Sequence, residues 1–318
     1  MSSKIVQTRF GGPEVLELVE QPSPAPDALT ADEVLVRVAF AGVNPIDVMT
    51  RTGGAMAAAG LITLPFTPGW DLAGTVEAVG SQVRSLAVGD RVFGMARFPH
   101  AGAAYAQYAV VPAVDLALTP DTLTDAAAAA LPLAAMTAWQ AFADTTHVTN
   151  GQRVLIAGAG GGVGHFAVQI AHHLGATVTA VAGAGKHDWL RGLGADRTVD
   201  YTDPAALAAL ADQPVDVALN LVGGDTGRHA LAAVRPGGIL ISLVGAGDDL
   251  RGAADLTGVR LATTSVRTER AWLAQITHLA ATKALVPEVA RVFDLADAAQ
   301  AHRLVEAGHV QGKVVLRA

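Results

Sequence analysis

Val154-Leu155-Ile156-Ala157-Gly158-Ala159-Gly160-Gly161-Gly162-Val163-Gly164-His165-Phe166-Ala167-Val168-Gln169-Ile170-Ala171 passes from an apolar, β-branched run through a glycine-rich bend into an amphipathic helix. Glycine-rich bends are common, so a G-x-G-x-x-G pattern alone says little; its place between a buried strand and a helix gives it meaning. The register that fits is Ala159-x-Gly161-x-x-Gly164, with alanine in the first slot. Gly161 then lets the backbone approach a diphosphate, and Gly164 lets the helix lie close to the strand. The helix N-terminus presents unpaired N–H groups and the positive end of its dipole to that diphosphate. Ala159, Gly160, Gly161, Gly162, Val163 and Gly164 are therefore the expected phosphate grip of a dinucleotide. The plainer alternative is a tight strand-to-helix turn that holds nothing.

The tip of the next strand carries the second test. An acidic side chain about 20 residues on binds the ribose hydroxyls of NAD. Here Thr177-Val178-Thr179-Ala180-Val181 runs into Ala182-Gly183-Ala184-Gly185-Lys186, with no Asp or Glu at its end. Small residues leave room for a 2′-phosphate and Lys186 can neutralise it, so NADPH is the expected cofactor. A solvated lysine opening a helix is the alternative for Lys186.

Around this bend the pattern alternates. Strands are expected at 153–157, 177–181, 196–200, 215–221 and 239–244, with helices at 163–174, 186–193, 204–210 and 226–234. Such alternation builds βαβ units and a parallel sheet. Upstream, short β-like runs at 33–40, 74–79, 88–93 and 103–111 suggest a β-rich lobe, and 125–142 reads as an alanine-rich helix broken at Pro132. Downstream, 270–283 and 295–307 look helical. The final strand, 312–316, has no helix after it and is free to return to the first lobe. The expected division is 1–122 completed by 266–318, around a dinucleotide-binding domain at 123–265. A chain of 318 residues is long enough for two such domains.

Composition narrows the function classes. With 51% apolar and 16% charged residues the chain folds, and its formal charge of −7 repels nucleic-acid backbones and anionic lipid. The absence of cysteine removes disulfides, thiolate nucleophiles and cysteine-ligated zinc. The first ten residues lack the apolar core of a signal peptide. The most apolar stretch, 126–139, is interrupted by Pro132 and falls short of the ~20 residues of a membrane span. A cytoplasmic protein with no membrane and no nucleic-acid partner is expected. His172 and His173 diverge around a helix and His165 lies two turns away, so no metal site is expected among them.

Landmarks recur along the whole chain: Gly42-Val43-Asn44-Pro45-Ile46-Asp47, Pro68-Gly69-Trp70-Asp71-Leu72-Ala73-Gly74, Gly89-Asp90-Arg91-Val92-Phe93-Gly94, Leu131-Pro132-Leu133-Ala134-Ala135-Met136-Thr137-Ala138-Trp139, the Gly160–Gly164 bend and Gly312-Lys313-Val314-Val315-Leu316. In these the chain resembles zinc-independent medium-chain dehydrogenases/reductases of the NADPH:quinone oxidoreductase type. The resemblance implies an α/β molecule: a doubly wound Rossmann sheet plus a β-rich, GroES-like catalytic domain built from both chain ends, with the active site in the cleft between them. It implies that Asn44 and Thr137 approach the nicotinamide, with Asp47 and Arg51 in the same active-site loop. It makes Lys186 and Tyr201 contacts of the adenosine 2′-phosphate, and Gly183, Val222, Gly245, Gly312 and Lys313 further cofactor contacts. A homodimer is also implied. Zinc-containing relatives need cysteine or histidine where Asn44 stands and histidine near Gly69-Trp70. Many quinone reductases carry tyrosine where this chain has Met49, and relatives often carry aspartate where it has Asn220.

The function expected on this account is hydride transfer from NADPH to a quinone or an α,β-unsaturated carbonyl compound. Such acceptors spread the incoming charge over several atoms, so neither a metal nor a strong acid is needed at the oxygen. Asn44 would hydrogen-bond the substrate or the carboxamide, unless it serves only as a turn former before Pro45. An enoyl-thioester or alkenal reductase is the alternative enzyme, and a non-catalytic NADPH-binding protein the alternative outside catalysis. The loops 52–63 and 97–103, expected to line the substrate pocket, carry no motif that names the substrate.

Overall fold

The Arg153–Ala157 strand is apolar from Val154 onward, and a strand buried on both faces belongs in a parallel sheet covered by helices. The computed structural model describes Met1–Ala318 and places this strand inside a six-stranded sheet. The sheet order is Arg197–Asp200, Thr177–Ala182, Arg153–Ala157, Val215–Asn220, Val234–Ser242 and Arg260–Ala262, every neighbouring pair parallel. Numbered along the chain, the sequence of strands is 3-2-1-4-5-6, reversing between Arg153–Ala157 and Val215–Asn220, where Asn220 lies opposite Ala157. Ligands of such sheets bind beyond the carboxyl ends of the strands at this reversal. Helices Gly162–His173, His187–Gly192, Pro204–Ala208 and Gly224–Ala232 form the crossovers, and Leu155, Val181, Ala218 and Leu240 lie in the core.

Two parts of this sheet differ from the sequence expectation. The strand begins at Val234 and bulges through Pro236-Gly237, where Gly237 takes φ +78, before pairing again at Ile239. Proline and glycine read as a turn in sequence, yet a bulge also accommodates them. Helix Asp248–Thr257 and the edge strand Arg260–Ala262 were not expected. The helix buries only Leu250 and Ala254, four residues apart, too thin an apolar stripe to stand out.

The second sheet has seven strands, with Glu33–Val43 at its centre. That strand pairs antiparallel with Asp71–Val79, Tyr108–Pro112 and Lys313–Arg317. The last strand thus returns to the first lobe, Val314 opposite Val43 and Arg317 opposite Phe40. Val289–Asp294 lies parallel to it, joined through helix Ala298–Glu306, whose inward residues are Ala298, Ala301 and His302. The chain divides into two compact units, Met1–Met136 with Arg267–Ala318, and Thr137–Val266. The 125–142 segment becomes two short helices, Asp125–Ala129 and Pro132–Trp139, followed by a wider π-type turn at Gln140–Thr145. No helix is long and apolar enough to cross a membrane.

Candidate active site

Asn44 precedes a short helix, Pro45–Arg51, that proline opens with its fixed φ. Asp47 and Arg51 therefore stand on a helix, not in a loop as expected. The Asp47 Oδ2 accepts the Asn44 N–H at 2.7 Å, which closes the first turn and overrides the turn-like look of Asn-Pro. Asp47 and Arg51 are four residues apart and share one buried face.

The sheet brings two further charged residues to Asn44. Asp71 and Lys313 each begin a strand that pairs with Glu33–Val43 near its end. Asn44 Nδ2 donates to Asp71 Oδ2 at 2.8 Å, while its Oδ1 accepts from Lys313 Nζ. Lys313 also donates to the Val43 carbonyl at 3.2 Å and stands 3.7 Å from Asp71 Oδ2. The other Asp71 oxygen takes the Leu133 N–H at 2.8 Å. Gly42 is required here, since a Cβ on it would lie 2.8 Å from Asp71 Cβ. Burial raises the pKa of Asp71 and lowers that of Lys313, and each charge partly offsets the other's loss of water. Asp47 is raised to about 7, chiefly by burial, with the Asp71 charge adding to it.

A second chain of contacts leaves Arg51. Its Nε donates to the Gly11 carbonyl at 3.1 Å, Nη1 faces His302 Nδ1 at 3.3 Å and Nη2 pairs with Glu306. A guanidinium can only donate, so His302 Nδ1 is the bare nitrogen and Nε2 carries the proton. That proton points to the Tyr105 hydroxyl at 3.1 Å, leaving the phenol's own proton for the neighbouring Asp47 carboxylate. Burial first, and Arg51 second, push His302 down to about 3. Gly69, at φ +90, makes room for the Tyr105 ring, which fills the place of a Cβ there.

In the second unit, Gly158 turns the chain at φ +88 and a Cβ on Gly164 would stand 2.6 Å from Ala159 Cα. The helix can approach the bend only because residue 164 is glycine. A Cβ on Gly161 would meet nothing closer than Gly158 O at 3.6 Å, so this backbone is open. Lys186 lies across Gly160, its Nζ donating to the Gly160 carbonyl at 3.3 Å. Tyr201 Cε1 stands 3.5 Å from where a Cβ on Gly183 would be. Val222 abuts Gly158, and Gly245 carries φ +80 with its carbonyl bound by Ser242 Oγ at 2.6 Å.

The structure thus gathers Asn44, Asp47, Arg51 and Lys313 in the first unit, and the Ala159–Gly164 bend, Gly183, Lys186, Tyr201, Val222 and Gly245 at the carboxyl ends of the strands in the second. Thr137 is the first residue of the second unit and is buried on helix Pro132–Trp139. Gly312, at φ +76, packs its backbone against Glu288 beside the buried Lys313. Asp71, Tyr105, His302, Glu306 and Ser242 were not singled out from sequence. Asp71 lay inside a quoted landmark; the others carry no local signal, since their partners are distant in the chain. A cleft of about 370 Å³ in the first unit draws Leu61, Ile62 and Thr63 from one expected pocket loop and Ala101 and Ala103 from the other, with Lys4 among its walls.

Two family models match the chain, "Alcohol dehydrogenase GroES-like domain" over residues 30–121 and "Zinc-binding dehydrogenase" over 193–316. A 2-methylene-furan-3-one reductase of Solanum lycopersicum is 37% identical over 246 residues, covering 75% of this chain and 61% of that protein, so the chain spans about three-fifths of this relative's length. The quinone oxidoreductase structure from Coxiella burnetii superposes with a TM-score of 0.90 at 34% identity, covering 100% of this chain and 99% of the other. The Escherichia coli quinone oxidoreductase complexed with NADPH gives 0.86 at 27% identity, covering 99% and 100%. Fold, landmarks and full-length similarity agree, and the chain belongs to the medium-chain dehydrogenase/reductase superfamily as a quinone oxidoreductase-like protein.

Proposed function

We propose that the protein is an NADPH-dependent oxidoreductase that delivers hydride to a quinone or to the β-carbon of an enone, without zinc. The observation that carries this proposal is the glycine bend: a backbone cradle open at Gly161, a lysine and a tyrosine beside its adenosine end, and no carboxylate at the tip of Thr177–Ala182. The cradle fits a dinucleotide, with the Ala159–Gly164 amides on the diphosphate and Lys186 with Tyr201 on the 2′-phosphate. Bound there, NADPH would supply the hydride.

The residues do not make a zinc site. Asn44 offers an amide whose nitrogen already donates to Asp71 and whose oxygen already accepts from the Lys313 ammonium, and no three His, Cys, Asp or Glu side chains converge. Conjugated acceptors suit such a site. Charge is spread over the ring or the enolate, and water can deliver the proton, so the protein's share is holding the reacting carbons within about 3–3.5 Å. Asn44 and Thr137 are proposed to face the nicotinamide. Asp47, Arg51 and Lys313, buried and internally bonded, act as positioning residues behind Asn44. The tomato relative's named substrate, a methylene beside a ring ketone, is itself a conjugated acceptor.

The test is loss of NADPH absorbance with a panel of quinones, enones and enoyl thioesters, together with calorimetric titration of NADPH and NADH. Turnover with quinones or enones, and tighter binding of NADPH than NADH, is the expected result. Turnover confined to thioesters would move the assignment to an enoyl-thioester reductase. NADPH binding with no turnover on any acceptor would make it a binding protein, and no binding at all would remove the redox assignment.

A further inference from the structure

The cleft of about 370 Å³ in the first unit is walled by three segments that backbone hydrogen bonds lace together. The Gln7 N–H donates to the Phe66 carbonyl at 2.9 Å, and the Phe66 N–H donates back to Gln7 at 3.1 Å. The Ile5 N–H donates to the Tyr105 carbonyl at 2.8 Å. The Tyr105 and Ala104 N–H groups donate to the Pro68 and Gly69 carbonyls at 3.0 and 3.1 Å. These last bonds hold Ala103 at φ +56, a left-handed conformation that alanine seldom adopts, so this wall is fixed by its neighbours.

Lys4, half-buried, is the only charged residue of the cleft. Strand Ser2–Val6 alternates: Ile5 is turned into the core, while Lys4 and Val6 line the cleft. Glu17, opposite Val6 on the paired strand Glu17–Gln21, is not among the cleft residues. Leu61, Ile62 and Phe66 make the walls apolar, and Thr63 and Thr67 add two hydroxyls. An apolar cavity with one cation and a few hydroxyls fits an apolar tail that ends in a carboxylate. A single lysine, without arginine's planar fork, suits a monoanion better than a phosphate dianion.

Two of the three segments also hold Asn44. Gln7 Nε2 donates to the Arg51 carbonyl at 2.8 Å, so the chain just past Lys4 carries the end of the helix that follows Asn44. Thr67 stands four residues before Asp71, whose carboxylate holds the Asn44 amide. An extended chain covers at most about 14 Å over that separation. We propose that this cleft receives the non-reacting end of the acceptor and that Lys4 pairs with a carboxylate there, so that the preferred acceptors are conjugated carbonyl compounds with an apolar, acid-ended tail. The proposal rests on the oxidoreductase reading above and narrows its substrate class.

The experiment compares two enones of equal chain length, one ending in a methyl group and one in a carboxylate, with the wild-type protein and Lys4→Gln. Melting curves establish that the variant is folded. Lys4→Gln is expected to raise KM for the carboxylate-ended enone about threefold to tenfold with kcat kept, and to leave the methyl-ended enone unchanged. Added salt should shrink the difference between the two proteins. An unchanged KM for the carboxylate-ended enone, or an equal rise for both enones, overturns the proposal and leaves the oxidoreductase reading standing. Calorimetric titration of decanoate reports on the cleft without turnover, and its affinity should fall by a similar factor in Lys4→Gln. Decanoate binding that depends on Lys4, in a protein that reduces no enone and no quinone, would overturn the oxidoreductase reading and keep the cleft as a carboxylate site.

Discussion

At the end of strand Val215–Asn220, the Asn220 Oδ1 accepts from the Val222 and Gly223 N–H groups at 3.3 and 3.1 Å, while its Nδ2 donates to Ser242 Oγ at 3.1 Å. Ser242 spends its single proton on the Gly245 carbonyl. Residue 220 must therefore be a donor toward Ser242, which an ionised aspartate is not. Asn220→Asp sets two acceptors against each other in a buried site and should cost about 1–3 kcal/mol, read as a lower melting temperature; an unchanged melt would remove this account. The sequence marked Asn220 as a departure but could not show its use, because Ser242 lies on another strand and only the parallel register makes them neighbours. Lys313 is a similar case. It stands in a recognisable terminal motif, yet its contacts with Val43 and Asn44 span 270 and 269 residues, and no local spacing announces them.

Among elements, the strand–bend–helix from Arg153 to His173 was legible nearly to its ends, because an apolar strand, a glycine bend and a helical period follow one another without a gap. The predicted Gly161 and Gly164 roles separate by substitution. Gly164→Ala puts a methyl against the backbone of Gly158 and Ala159, which cannot yield without lifting the helix. We expect a loss of about 1–3 kcal/mol, the cost of overpacking, partly offset by the better helix propensity of alanine. Gly161→Ala meets only Gly158 O at 3.6 Å and should melt as the wild type does. Equal melting temperatures for both variants would contradict the close approach. The short helix Pro45–Arg51 was not legible, since seven residues barely show a period and Asn-Pro reads as a turn. Strand Val289–Asp294 was missed because no residue in it is buried, which erases the alternation a half-buried strand displays.

For the molecule as a whole, two buried groups tie stability to pH in opposite directions. His302, held near 3, stays neutral in the fold but takes a proton in the unfolded chain, so its contribution is lost as pH falls from about 6.5 toward 3. Asp47, raised to about 7 from 3.8, stays protonated in the fold longer than in the unfolded chain, so its contribution is lost as pH rises from about 4 through 7. Their sum is flatter than either alone. His302→Gln keeps an acceptor for Arg51 and a donor for Tyr105 while removing the titration. Relative to wild type, it should gain on the order of a few kcal/mol on going from pH 6.5 to pH 4 in urea unfolding; a constant difference across that range would exclude His302 as the cause.

The strand Lys313–Arg317 also constrains how the protein is made. A ribosome releases the chain from its N-terminus onward, and domains close as their residues emerge. Thr137–Val266 carries its own six-stranded sheet and can finish it while translation continues. The seven-stranded sheet cannot, because the partner of Phe40, Ala41, Gly42 and Val43 lies about 270 residues further along the chain, beyond the whole of Thr137–Val266. Until then the Phe40–Val43 end of Glu33–Val43 lacks a neighbour on the edge where Tyr108–Pro112 already covers Glu33–Arg37, and the Asn44 amide waits for its lysine. The first unit therefore closes after Thr137–Val266, whose strands all lie between the two segments that build it.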